Sequence, residues 1–213
     1  MEFRPSPNQT TKATMVAIAV CAVALLVVGL LVAANRDESA PTSQYALAEP
    51  VPMPPLVLTD TAGLPFDLRE RAAGRVTLLY LGYVNCPDVC PITTGVLSQT
   101  MASMPADVRA TVQVVFVTVD PTRDSPDQIR SFLDQFDESF IGLTATPDQL
   151  EQLQVAMSAP SAVSEPADAD GGYLVGHVTS VFVFEQDGVA RSRYPFGTRQ
   201  AEWANVLPKL VRD

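Results

Sequence analysis

Histidine, cysteine and basic residues are all scarce in this sequence. Its 213 residues include one histidine and three cysteines, and 14 lysines and arginines stand against 24 acidic residues. A net charge of −10 repels nucleic acid and anionic lipid, so we expect no nucleic-acid partner. Internal repeats are also absent. Once the two ends are set aside, the length allows one domain with one hydrophobic core.

An uncharged stretch lies near the N-terminus. Residues 13–34 carry no charge, and as a helix rising about 1.5 Å per residue they would extend roughly 33 Å, enough to cross a bilayer. A cleaved signal peptide is the alternative, because residues 32–34 resemble a cleavage site, but the stretch exceeds the roughly 7–15 residues of a signal core. A lipoprotein signal fits less well, since Val20 precedes Cys21 where a small residue is expected. We predict a retained transmembrane helix with Cys21 facing lipid.

The charges beside this stretch predict its orientation. Arg4 and Lys12 precede it, whereas Arg36 is answered by two acidic residues directly after it, which keeps the N-terminus cytoplasmic by the positive-inside tendency. The folded part is then expected outside the cytoplasm, on the periplasmic side of an inner membrane. Beyond residue 34 the chain has 12 basic and 23 acidic residues, which suits a soluble domain that meets a basic partner or a cation.

We divide the chain into four regions. They are a cytoplasmic tail (1–12), the transmembrane anchor (13–34), a linker (35–55) and one folded domain (56–213). The linker assignment depends on its five prolines, which favour extended backbone, and on the lack of core-forming periodicity.

The folded domain is predicted to be α/β, because strand and helix patterns alternate along it. Apolar runs without helical period predict buried strands at 76–84 and 112–119, and turn signals predict hairpins at 56–63 and 178–194. Apolar spacing predicts a helix that starts near Pro91 and a last helix carrying Trp203 that Pro208 should kink or shorten. The capping-box patterns Ser125-Pro126-Asp127-Gln128 and Thr146-Pro147-Asp148-Gln149 predict the starts of two further helices. The methionines Met101, Met104 and Met157 fall on apolar helix faces, which indicates core residues and not metal ligands.

Cys86 and Cys90 lie between a predicted buried strand and a helix, where open α/β sheets place their ligand sites. A helix N-terminus favours thiolate over thiol, so a lowered cysteine pKa is expected. Their spacing of four would put both sulfurs on one face, and Pro91 can start the helix while Cys90 stays at its exposed mouth. The pair can also close a disulfide if the Cα atoms come within about 4.4–6.8 Å. A purely structural disulfide is the alternative.

His177 is the one histidine available as a third ligand, and it follows a long loop at 158–172. Two sulfurs and an imidazole suit three-coordinate Cu(I) and can also serve Cu(II), whereas a closed zinc site would want a fourth protein ligand. The set therefore favours copper. A histidine that only completes a loop end is the alternative.

The motifs together resemble the Sco/SenC family in order and spacing. They are Gly82-Tyr83, then Cys86-Pro87-Asp88-Val89-Cys90-Pro91, then Val119-Asp120-Pro121-Thr122-Arg123-Asp124-Ser125-Pro126, then His177. The resemblance spans residues 56–213. It implies a thioredoxin-like fold with an added N-terminal hairpin and an extra loop or hairpin, and copper held by Cys86, Cys90 and His177.

The same resemblance implies a metallochaperone, not an enzyme, that helps to assemble the dinuclear copper centre of cytochrome c oxidase. The implied partners are the copper-bearing subunit of that oxidase and a second copper chaperone or thioredoxin-like reductant. In that family the cysteine pair also cycles between dithiol and disulfide. The alternative function is a thiol–disulfide oxidoreductase that acts on extracytoplasmic cysteines, with Cys86 or Cys90 as nucleophile; a peroxidase lacks a supporting signature.

The sequence departs from the family pattern beside His177. Gly176 stands where the family commonly has Asp, and Val178 stands where it often has Ser or Thr. A carboxylate that orients the imidazole is thus expected to be missing, and such a loss costs on the order of 10–100-fold in metal affinity. Val84-Asn85 is a second departure, with little effect expected. Asp120, Arg123 and Asp124 are equally compatible with shaping the site entrance and with holding the fold together.

Overall fold

The computed structural model describes residues 43–166 and 172–212, together with residues 20, 21 and 23–25. The chain divides into two compact units, Met1–Ala40 and Pro41–Asp213. In the first unit the described residues are helical and exposed, Cys21 included. The predicted cytoplasmic tail and most of the predicted anchor lie outside the described residues. Within the described part of the chain, no helix has both the length and the apolar character needed to cross a membrane.

The second unit is an α/β domain, as predicted. Its described strands are β1 (Ala46–Pro52), β2 (Val57–Asp60), β3 (Pro65–Asp67), β4 (Val76–Gly82), β5 (Val112–Thr118), β6 (Ile141–Thr144), β7 (Val163–Ser164), β8 (Val175–Gly176), β9 (Val181–Phe184) and β10 (Val189–Tyr194). Its described helices are α1 (Leu68–Ala72), α2 (Val89–Ser103), α3 (Ala106–Thr111), α4 (Pro126–Asp134), α5 (Pro147–Ala156) and α6 (Gln200–Leu210), and a short 3₁₀ turn spans Ser43–Tyr45.

Eight strands form one sheet in the order β1-β10-β9-β4-β5-β6-β2-β3, and β7 pairs with β8 in a separate ribbon. The central strands β4, β5 and β6 are parallel, while the flanking strands are antiparallel to their neighbours. Every residue of β4 and β5 is buried. Since successive side chains of a strand point to opposite faces, both faces of the sheet centre are covered. This arrangement places the end of β4 and the start of α2 beside each other at the centre of the domain.

Helices α4 and α5 begin where the sequence predicts. The side chains of Ser125 and Thr146 accept hydrogen bonds from the backbone N–H groups of Gln128 and Gln149, and both glutamine side chains bond back to the cap residues. A proline follows each cap in the first helical turn, where its missing N–H costs nothing. Both capping boxes are therefore confirmed.

The linker prediction is wrong for residues 46–52, because they form strand β1. This strand pairs with β10 at the edge of the sheet, where a proline need not donate to a neighbouring strand. Val51 is buried, so this strand also packs against the core, which the order of polar and apolar residues in 46–52 did not indicate. Helix α6 also continues through Pro208 to Leu210, since the proline falls in the last turn and the buried Leu207 and Leu210 hold that turn against the core.

Candidate metal site

The predicted cysteine site begins at the end of the buried strand β4. A side-chain Cβ at Gly82 would lie 2.7 Å from Cε2 of Phe116 and 3.2 Å from Sγ of Cys90. Glycine thus allows the first turn of α2 to approach the strand closely. Asp88 caps this helix by accepting a hydrogen bond from the N–H of Val89.

Cys90 lies inside the first turn of α2 and is fully buried. Its backbone N–H donates to Sγ of Cys86 at 3.3 Å, and the hydroxyl of Tyr80 donates to Sγ of Cys90 at 3.4 Å. Burial raises the pKa of the Cys90 thiol to about 12, outweighing the opposing effect of the Tyr80 hydrogen bond. The predictions of a lowered pKa and an exposed position are therefore wrong for Cys90, because desolvation penalises the thiolate more than the helix terminus favours it.

Cys86 lies in the loop before α2 and keeps slight access to solvent, with 9% of its surface exposed. It borders an open groove of about 480 Å³ that Val84, Pro91 and Phe132 also line. The two cysteines thus differ in access: Cys86 faces the groove and Cys90 is enclosed.

His177 follows directly after strand β8 and reaches the cysteine pair from another part of the chain. Its Nδ1 lies 2.8 Å from the carbonyl oxygen of Val178, and its Nε2 lies 3.7 Å from Sγ of Cys90. With Nδ1–H donating to the carbonyl, the lone pair of Nε2 points to the sulfurs. Burial lowers the pKa of the imidazole, which favours the neutral form that binds metal.

The missing carboxylate at Gly176 is replaced by a backbone group. The carbonyl of Val178 accepts the hydrogen bond from Nδ1–H of His177, which in many metal sites a carboxylate accepts from the ligating histidine. Two tyrosine rings complete the pocket edge-on: the ring centroid of Tyr83 lies 5.7 Å from that of His177, and that of Tyr80 lies 6.3 Å away. The orientation of the imidazole is thus set without an acidic neighbour.

The three predicted ligands meet in space. Ligand atoms of Cys86, Cys90 and His177 all lie within 4.8 Å of one another. Around one ion with metal–sulfur bonds of about 2.3 Å, ligand atoms are separated by roughly 4 Å, so a small closure would complete such a site. Across residues 43–166 and 172–212 and the few described N-terminal positions, no other group of three His, Cys, Asp or Glu side chains is near enough to share an ion.

The other residues singled out from the sequence lie in the core or take part in hydrogen bonds and an ion pair within the fold. Met101, Met104 and Met157 are buried in the core. Asp124 is buried and accepts hydrogen bonds from the N–H of Val84 and the hydroxyl of Thr118, and Asp120 pairs with Arg123.

Sequence reasoning missed two tyrosines, Tyr80 beside Cys90 and Tyr173 beside Asp120. Tyr80 carried a usable signal. It is a hydroxyl-bearing residue within a buried strand, two positions before Gly82 and hence on the same face.

Comparisons with known proteins agree with this geometry. The SCO1/SenC family model matches residues 48–212. A protein of Stutzerimonas stutzeri described as copper-binding is 31% identical over 159 residues, which cover 75% of this chain and 76% of that protein. The mitochondrial protein SCO2 of Saccharomyces cerevisiae is 33% identical over 138 residues, covering 63% of this chain and 44% of the yeast protein, so this chain spans less than half of that relative.

A solved structure shows the same fold. The structure of Bradyrhizobium japonicum ScoI with copper bound superposes with a TM-score of 0.67 at 28% identity, and the match covers 74% of this chain and 98% of that one. The predicted thioredoxin-like fold is confirmed by this similarity.

Proposed function

This chain belongs to the SCO1/SenC family, and from that membership and the site geometry we propose that it is a copper metallochaperone for the dinuclear copper centre of a cytochrome c oxidase. The convergence of Cys86, Cys90 and His177 is the observation that carries the proposal. Two thiolates and a neutral imidazole form a soft, three-donor set that suits Cu(I) and can also hold Cu(II). A copper-binding relative and a copper-containing structural neighbour support the choice of metal.

The difference in access between the two cysteines suggests how copper is exchanged. Cys90 is enclosed and held by the hydroxyl of Tyr80, so it acts as the inner ligand. Cys86 borders the groove, so an incoming thiolate from a partner displaces this ligand first. Each bound cysteine must give up its proton, and metal binding therefore releases protons. The recipient we propose is the copper-bearing subunit of the oxidase, with a second copper chaperone or a thioredoxin-like reductant upstream.

We further propose that residues 13–34 anchor the chain in the inner membrane. The uncharged stretch and its flanking charges support a single pass with residues 1–12 in the cytoplasm and the domain on the periplasmic side. Tethering there would hold the domain near a membrane-bound oxidase. The residues between the anchor and the 3₁₀ turn at Ser43–Tyr45 would serve as the tether.

The test is titration of the reduced full-length chain, purified in detergent, with Cu(I) against a chromophoric chelator. We expect one tightly bound copper per chain, and an affinity at least about tenfold lower in Cys86→Ser, Cys90→Ser and His177→Ala, because each variant removes one of three donors. Cys21→Ser is the matched control and should bind copper like the unchanged chain. Full copper binding in all three site variants would contradict the proposal.

A thiol–disulfide oxidoreductase is the second candidate, because Cys86 and Cys90 are both free and their sulfurs lie within 4.8 Å. His177 separates the two functions. If His177→Ala leaves the oxidase-assembly phenotype normal while either cysteine variant abolishes it, the redox function is favoured. If all three variants fail alike and addition of copper restores assembly, the chaperone function is favoured.

A further inference from the structure

Side chains from three segments meet beside the proposed copper site. The guanidinium carbon of Arg123 lies 3.3 Å from the ring centroid of Tyr173 and 5.9 Å from that of Tyr83. Asp120, which is almost fully buried, accepts from Nε of Arg123 at 2.5 Å with one oxygen and from the hydroxyl of Tyr173 at 3.0 Å with the other. Arg123 therefore contacts the ring face of Tyr173, and Asp120 binds its hydroxyl.

Tyr173 belongs to the same short segment as His177. It lies four residues before the histidine, and Leu174 and strand β8 (Val175–Gly176) intervene. That strand pairs over two residues with β7, whose side chains are exposed, and Val175 of β8 packs into the core. The hydrogen bond from Nδ1 to Val178 also moves with the segment. It orients the ring but does not fix the distance between His177 and the cysteines.

The contacts of Tyr173 add a long-range restraint on this segment. Asp120 and Arg123 follow β5 in the centre of the sheet, 53 residues before Tyr173 in the case of Asp120. Arg123 also reaches toward Tyr83, whose ring meets His177 at an interplanar angle of 89°. Two routes of contact thus link the centre of the sheet to His177. One passes through Tyr173 and along the chain, and the other passes through Tyr83, whose ring meets the imidazole.

We propose that Asp120, Arg123 and Tyr173 form a latch that holds His177 against Cys86 and Cys90. They are positioning residues: none of them touches the ion, and they act by keeping the imidazole within bonding distance. The latch rests on the proposed function, since it concerns the same copper site. With the latch released, bound copper keeps its two sulfur ligands and loses the nitrogen ligand, so these residues set whether the ion is held by two donors or three.

The test is a double-mutant cycle on the full-length chain, with Cu(I) titrated against a chromophoric chelator. We expect Arg123→Ala to lower copper affinity about tenfold when His177 is present, and by less than about twofold in the His177→Ala background, because the latch acts only through the histidine. In the Cu(II)-loaded Arg123→Ala variant, the nitrogen coupling in the electron paramagnetic resonance spectrum should weaken toward that of His177→Ala.

Two further variants keep this test decisive. Tyr173→Phe retains the ring over Arg123 and removes only the hydroxyl, so it replaces Arg123→Ala in the cycle if near-ultraviolet circular dichroism shows that the latter is unfolded. Arg191→Ala is the control, since it removes a similar ion pair with Glu185 and Asp187 at the β9–β10 turn, and it should bind copper normally.

The outcomes separate the latch from the function on which it rests. Equal losses of affinity with and without His177 would overturn the latch and leave the copper chaperone intact. Binding indifferent to His177→Ala would also overturn the latch, whereas absence of copper binding by the unchanged chain would overturn the proposed function and the latch with it.

Discussion

At the scale of single residues, a buried carboxylate supports the loop that carries Cys86. One oxygen of Asp124 accepts from the N–H of Val84 at 3.0 Å and from the hydroxyl of Thr118 at 2.6 Å. The other oxygen is buried and has no hydrogen-bond partner among the residues that the structure describes. Burial raises the pKa of Asp124 above its ordinary value, although the two hydrogen bonds oppose that rise. Ionisation of Asp124 at neutral pH therefore lowers the stability of the folded domain.

This loss of stability predicts how Asp124→Asn changes the stability of the domain with pH. A pKa raised in the folded state contributes stability below the unfolded pKa of about 3.9 and loses it as pH rises through the folded pKa. The amide oxygen of asparagine can keep both hydrogen bonds while carrying no charge. We therefore expect the stability of Asp124→Asn, relative to the unchanged chain, to increase between about pH 4 and pH 7 in urea unfolding.

Asp187→Asn is the control for the sign of this effect. The hydrogen bond from Arg191 lowers the pKa of Asp187, so its contribution is present above the unfolded pKa and is lost as pH falls. The stability of Asp187→Asn relative to the unchanged chain should therefore fall as the pH is raised. The change should be less than about 1 kcal/mol because the ion pair is exposed. A fall in the relative stability of Asp124→Asn on raising the pH would contradict the account of Asp124.

At the scale of elements, the start of α4 joins the loop that carries Asp120 and Arg123 to the core. Ser125 caps this helix directly after Asp124, and Ile129, Phe132 and Leu133 bury its inner face. Phe132 packs against Phe116 of β5 with ring centroids 5.6 Å apart, and it also lines the groove beside Cys86. The local capping signal and the long-range packing thus support the same element.

Ser125→Ala should destabilise the domain without changing the copper site. Losing the hydrogen bond from the N–H of Gln128 costs about 1 kcal/mol at a helix N-terminus, measured as the change in free energy of unfolding. Thr146→Ala, which removes the equivalent cap of α5, should cost a similar amount. Copper affinity should stay within about twofold of the unchanged chain. A tenfold loss of affinity with Ser125→Ala would show that the cap also positions the ligands.

At the scale of the whole domain, the proposed copper site connects distant parts of the chain. Cys90 and His177 are 87 residues apart in sequence, and they meet only after β4, β9 and the β7–β8 ribbon are in place. An unfolded chain cannot gather the three donors at comparable cost, because closing such a loop loses conformational entropy. Copper should therefore bind the folded domain in preference and stabilise it.

Thermal unfolding tests this coupling. At a free Cu(I) concentration about 100-fold above Kd, a ligand that binds only the folded state adds about 2.7 kcal/mol. For a domain of this size that corresponds to a rise in Tm of about 5–10 °C. His177→Ala at the same copper concentration should show a smaller rise. An unchanged Tm in copper-loaded protein would contradict preferential binding to the folded state.

The sequence by itself determined the features whose signals are local. Both capping boxes depend on residues three apart, and the apolar runs of β4 and β5 are continuous, so these elements form as predicted. The cysteine pair was also visible, because four-residue spacing at a strand-to-helix junction is a short pattern. His177 was proposed as the third ligand because it is the one histidine in the sequence, and the family resemblance then supported that choice, although no local pattern joins it to the cysteines.

Only the tertiary structure decided the environment of those residues. Desolvation of Cys90 reverses the pKa expected from its helix terminus, since burial depends on strands far along the chain. Strand β1 exists because β10 offers it an edge, and Asp120 meets Tyr173 across 53 residues. The roles of Asp120 and Arg123 stayed open in the sequence for the same reason. Contacts between distant segments depend on how the elements pack, and neither residue spacing nor composition records that packing.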